Sequence, residues 1–165
     1  MNENILARLF EHNNWANEQI MQACTKLTDE QLDAPPQSAT EGSIRSTLQH
    51  LVSAQYGYLR LLTLPLEERR DRVTVPFAEL PESLKNSGEK LLELTKDEKQ
   101  FPRTRLTTRD GRYVEPWVLM VQIINHATEH REQIKSMLTA MGITPPSIDG
   151  WDYGEATSAL VPITK

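Results

Sequence analysis

Apolar residues recur at helical spacing in four separate stretches of the chain. In the first, about Asn4 to Lys26, Ile5, Leu9, Ala16, Ile20, Ala23 and Leu27 fall close to one stripe, and Leu6, Phe10, Trp15 and Cys24 widen it. The second opens at Ser43, whose hydroxyl suits a helix N-cap. It runs to about Thr63, with Ile44, Leu48, Leu51, Tyr58 and Leu62 on its apolar side. The third covers about Ala78 to Lys96, with Leu80, Leu84, Leu91 and Leu94 as core candidates. The fourth starts at Pro116, a residue suited to a first helical turn. It continues to about Met141, where Gly142 stops it as a C′ residue.

Punctuation between these stretches is equally readable. Thr28-Asp29-Glu30-Gln31 is a capping-box pattern that starts a short turn of helix. Ala34 to Gly42, with Pro35-Pro36, reads as a loop. Leu64 to Pro76 is charged, proline-bounded and long enough to cross from one end of a bundle to the other. Between Thr104 and Val114, strand-like residues flank Asp110-Gly111, a two-residue hairpin signal. The expectation is one all-α domain over residues 1–165, a four-helix bundle with a short β-hairpin before the last helix. Within it, Gly57 suggests close packing of a neighbour or space left for a ligand, and Gly88 a weak point, since helix-interior glycine costs ~1 kcal/mol. Trp151 and Tyr153 suggest that the tail beyond Pro145-Pro146 packs back on the helices.

Composition narrows the function classes. The formal net charge is −5, and no basic stripe is present, so nucleic acid is not an expected partner. The dense run Glu67-Glu68-Arg69-Arg70-Asp71-Arg72 mixes signs and reads as a solvated loop. Cys24 is the single cysteine. It allows no intrachain disulfide, fits a reducing compartment and reads as a buried, inert thiol. No apolar run approaches the ~20 residues of a membrane span, and Met1-Asn2-Glu3-Asn4 lacks a signal-peptide pattern. The expected location is the bacterial cytoplasm, with no membrane partner.

The candidate chemistry lies in the fourth stretch. His126 and His130 are four residues apart, so both imidazoles leave one helix face. Ile123, Ile134 and Met137 lie near that face, so the histidines are expected to look inward. His50, on the second helix, sits at one edge of its apolar stripe. Two readings remain open: hydrogen-bonded core histidines, or a metal site on facing helices with free coordination positions. His126 to His130 also spells H-x-x-E-H, the inverted zinc-protease string. That string needs a carboxylate ligand well downstream, and only Glu132, Asp149, Asp152 and Glu155 follow in a short segment. Glu129 is therefore read as an outer or surface residue. His12 is expected to be at the surface or hydrogen-bonded, Trp15 in the core, Asn17 tolerated mid-helix, and Arg131 paired with a carboxylate.

Taken in order, these residues resemble the DinB family. The likeness rests on Trp15-Ala16-Asn17, Ser43-Ile44-Arg45 with Leu48-Gln49-His50, Asp110-Gly111, the run from His126 to Ile134, and the ending from Pro145-Pro146 to Asp152-Tyr153. It covers nearly the whole length. The resemblance implies an up-down-down-up four-helix bundle, often a homodimer, with a divalent metal, nickel or zinc, on three histidines. By position those are His50, His126 and His130. It further implies a metal-dependent transferase or hydrolase. Some relatives use a small-molecule thiol such as bacillithiol, mycothiol or glutathione. The non-catalytic alternative is a metal-stabilised binding or stress-response bundle.

Overall fold

Four of the described helix starts carry a side-chain cap. The structure, a computed structural model, describes residues 4–37, 42–69, 74–97 and 99–163. Helix α1 (Ile5–Cys24) begins where the Asn4 side chain accepts from the Ala7 amide. Both halves of the predicted capping box, Thr28 and Gln31, start α2 (Asp29–Asp33). Ser43 accepts from the Ser46 amide at the start of α3 (Ile44–Thr63). A 3-10 turn, Phe77–Glu79, leads into α4 (Leu80–Lys96). Helix α5 (Pro116–Ala140) ends in a Schellman motif. Gly142, at φ 74°, donates to the Thr139 carbonyl, and Ile143 donates to that of Leu138. The tail adds a short helix, α6 (Gly150–Ala156), capped reciprocally by Asp149 and Asp152. Residues 38–41 of the first loop and 70–73 of the α3–α4 connection lie outside the described residues, as do residues 1–3 at the start.

The predicted ribbon is present as β1 (Leu106–Thr107) and β2 (Tyr113–Val114), antiparallel, with Leu106 opposite Val114. Its turn is longer than Asp110-Gly111 suggested. Thr108 donates its amide to the Arg112 carbonyl and accepts that of Gly111. Among the loop residues, Gly111 has a positive φ, +80°. A two-residue type I′ turn needs positive φ at both central positions. A three-residue loop needs it only at the glycine, and this loop, Arg109 to Gly111, follows the second pattern.

Contacts along the helices set their directions. The Asn4 side chain at the start of α1 donates to the Thr95 carbonyl near the end of α4, so these two are antiparallel. Arg45 near the start of α3 lies over Phe77 just before α4, so α3 and α4 are parallel. His50 meets His126 while Tyr58 meets Gln122, so α3 and α5 are antiparallel. Helix α5 is then parallel to α1, and the bundle runs up-down-down-up, as the family resemblance implied. The parallel α3–α4 pair explains the long Leu64–Pro76 connection, which returns the chain to the other end.

The core is divided in two. One cluster gathers Ile20, Cys24, Leu48, Leu80, Ile134 and Leu138; the other gathers Phe10, Leu59, Leu62, Leu91, Met120 and Ile123. Between them lies a buried polar layer: Asn13, Asn17, Gln55, Ser87 and Arg131. A hydrogen-bond path crosses all four bundle helices. Arg131 donates to the side-chain oxygens of Asn13 and Asn17 at 2.8 and 2.6 Å. Asn17 donates to Gln55 Oε1 at 3.2 Å, and Gln55 donates to Ser87 Oγ at 2.8 Å.

Several expectations are corrected here. Ile5 and Leu9 are not core residues but 64% and 48% exposed, because α1 turns its Phe10–Asn13–Asn17 side inward. Arg131 is bonded to two amides and the Thr128 hydroxyl rather than to a carboxylate. The two glycines exchange roles. A Cβ at Gly57 would meet nothing within 4 Å, whereas one at Gly88 would lie 2.7 Å from Asn14 Oδ1. Gly88 is thus the close-packing glycine. In the tail Tyr153 packs on His12 and Trp15, each with ring centroids 5.4 Å apart, but Trp151 is 73% exposed. No helix among the described residues is long and apolar enough to cross a membrane.

Candidate metal centre

His50, His126 and His130 meet in the groove between α3 and α5. All three are half-buried, at the wall of the bundle rather than in its centre. The facing pattern follows from helix geometry. Antiparallel α3 and α5 bring His50 opposite the one-turn step from His126 to His130. The Nε2 atoms of His50 and His126 are 3.0 Å apart, and those of His126 and His130 are 3.1 Å apart. One nitrogen from each residue lies within 4.8 Å of the others. The ring pairs are tilted or edge-on, at centroid separations of 4.3–5.0 Å, rather than stacked.

This arrangement fits a metal ion. His130 Nδ1 is 2.7 Å from Gln133 Oε1, an acceptor, so the proton of neutral His130 is on Nδ1 and its Nε2 carries a lone pair. His126 Nε2 has a neighbouring imidazole nitrogen on each side and at most one proton to share between them. A cation among the three nitrogens satisfies every lone pair at once. Two nitrogens about 2.0–2.1 Å from one ion stand roughly 2.9 Å apart at a right angle and roughly 3.3 Å apart at the tetrahedral angle. The observed 3.0 and 3.1 Å lie within that span.

No carboxylate joins the cluster among the described residues. Glu129 is exposed, and Asp149 and Asp152 are engaged in capping α6. The peptidase string therefore has no downstream ligand. Tyr58 stands edge-on to His126, with ring centroids 5.8 Å apart, and Gln122 reaches its hydroxyl at 3.5 Å. His12 is elsewhere: its Nε2–H donates to the Ile148 carbonyl at 2.9 Å, tying α1 to the tail. Burial pushes the Cys24 thiol up to about 12, which leaves it inert as expected.

Sequence reasoning overlooked Gln133, Tyr58 and the buried layer. Gln133 had a usable signal, an acceptor one turn beyond an inward histidine. Asn13 and Asn17 had one too, since polar residues four apart in an apolar stripe demand partners. Burial pulls the Arg131 guanidinium down to about 10, against the opposing effect of Glu132.

A family model described as the DinB family matches residues 1–163. A solved crystal structure of a protein assigned to that family from Exiguobacterium sibiricum is similar in fold. Its TM-score is 0.65 at 19% identity, over 86% of this chain and 94% of that one. No curated protein matches the sequence.

Proposed function

The chain belongs to the DinB family, and from that premise we propose that it is a divalent-metal-dependent enzyme, a transferase or hydrolase acting on a small molecule. His50, His126 and His130 are the ligands in this reading, and nickel or zinc is the ion. The observation that carries it is the convergence of three Nε2 atoms in a half-buried groove, with no fourth His, Cys, Asp or Glu ligand among the described residues. Imidazole nitrogen suits both metals. Three ligands leave room for a water or a substrate atom, as in catalytic rather than structural sites. When bound, the ion would lower the pKa of water to about 7 or hold a thiol as thiolate, which is the chemistry a hydrolase or thiol-dependent transferase needs.

The chain's own residues contribute orientation and access. His126 and His130 share one helix, so their relative geometry is fixed by α5, and His50 closes the site from α3. Tyr58 stands edge-on against one side of His126. A low-molecular-weight thiol is the co-substrate class that agrees with an open, cation-holding groove.

The test combines metal analysis with a thiol-dependent substrate screen. Purified protein reconstituted with zinc or nickel is expected to hold one equivalent by mass spectrometry. His50→Ala, His126→Ala and His130→Ala, each checked for folding by circular dichroism, are expected to hold far less. A folded His50→Ala that keeps a full equivalent removes His50 from the site. Wild type that takes up neither metal overturns the reading.

A further inference from the structure

We propose that Gln133 is a positioning residue that sets the tautomer of His130 and so keeps its Nε2 available to a metal. This rests on the metal reading of the triad and deepens it. Gln133 lies one turn beyond His130 on α5, half-buried, and its Oε1 is 2.7 Å from His130 Nδ1. An amide oxygen has lone pairs only, so this contact requires a proton on Nδ1. A neutral imidazole has one such proton. Its Nε2 is then left as an acceptor, 3.1 Å from His126 Nε2 and aimed into the cluster.

The alternative tautomer shows what is at stake. Free neutral imidazole in a histidine side chain favours the proton on Nε2, the nitrogen that must be bare here. With that proton in place, His130 would present a donor to the cluster and could not ligate. A carboxamide turned the other way would offer N–H to Nδ1 and impose the same unproductive form. The oxygen of Gln133 therefore selects between a ligand and a blocked site, through the nitrogen remote from the metal. Three residues beyond His126, at the matching position, stands Glu129, which is exposed.

The tautomer can be read on metal-free full-length protein, so its test does not depend on loading. In ¹⁵N-labelled protein at pH 8, long-range proton–nitrogen correlations of His130, assigned with His130→Ala, should show Nδ1 protonated and Nε2 bare. Gln133→Ala should lose that pattern and bind zinc roughly 10–100-fold more weakly in chelator competition. Gln133→Glu keeps an acceptor at the same place and should restore both. A purely structural role would lower the melting temperature of Gln133→Ala and leave the His130 pattern unchanged. That result, or a wild-type His130 protonated on Nε2, overturns the proposal. Wild type with the expected pattern but no zinc uptake would leave Gln133's hold on the tautomer standing and sink the metal reading instead. Zinc uptake with a tautomer indifferent to Gln133 would do the reverse. Should Gln133→Ala not fold, the wild-type and Gln133→Glu spectra still decide.

Discussion

Helix α5 carries two polar faces at the middle of the bundle, and they are built on opposite principles. Toward α1 it presents Arg131, which is 3% exposed and bonded to Asn13, Asn17 and Thr128. Toward α3 it presents His126 and His130, half-buried, with nitrogens facing other nitrogens. The first face is a donor surrounded by acceptors, continued through Gln55 and Ser87 to α4. The second is a set of like groups, three imidazoles that could hold an ion between them. A buried polar group with its complement in place is architecture; acceptors converging on one point are a site. The layer is complete in all but one atom: Asn13 Nδ2 is buried without a protein partner.

The contrast breaks first under substitution. Asn17→Leu removes an acceptor from a buried guanidinium and a donor from Gln55, and is expected to cost about 2–4 kcal/mol in urea unfolding. It should also speed thiol-reagent labelling of Cys24, whose burial otherwise protects it. His126→Ala should do the opposite: keep stability within about 1 kcal/mol, as half-buried side chains usually do, and abolish metal uptake. If Asn17→Leu were harmless and His126→Ala unfolded the chain, the assignment of the two faces would be inverted.

Acid should separate the faces next. Ligation requires neutral imidazole, and free imidazole titrates near pH 6.5, so zinc affinity is expected to fall about tenfold or more between pH 7.5 and 5.5. Arg131 stays charged throughout that range, since burial lowers it only to about 10. Its layer contributes no pH dependence there. Metal-free stability measured at pH 7.5 and 5.5 should reveal no step attributable to Arg131, and an Arg131→Met variant should show the same slope as wild type.

The smallest effects probe how tightly the layer is closed. Gly88, beside Ser87, meets Asn14 so closely that Gly88→Ala should destabilise by about 1 kcal/mol, overpacking exceeding the gain in helix propensity. Gly57→Ala, on an open face of α3, should stabilise by about 0.5–1 kcal/mol. Equal shifts in the two melting temperatures would mean that Asn14 swings aside without cost.

Local signals in the sequence determined the helices and their ends: Thr28 with Gln31, Ser43, Pro116 and Gly142 each act within one turn of themselves, so no distant residue is needed to read them. The i, i+4 step of His126 and His130 is legible for the same reason, and His50 became a third candidate because it lay at the edge of an apolar stripe. Tertiary structure decided which side of α1 faces inward. Periodicity weighs residues by hydrophobicity, so it favoured Ile5 and Leu9 over Asn13 and Asn17. The asparagines are buried because Arg131 and Gln55, more than thirty residues away in sequence, arrive to bond them. Tertiary packing likewise decided that Gly88 rather than Gly57 meets a neighbour, and that Trp151 stays in water while Tyr153 finds His12. Each of those outcomes depends on what another segment brings to the contact, and a polar group's burial is favourable only once that partner is in place.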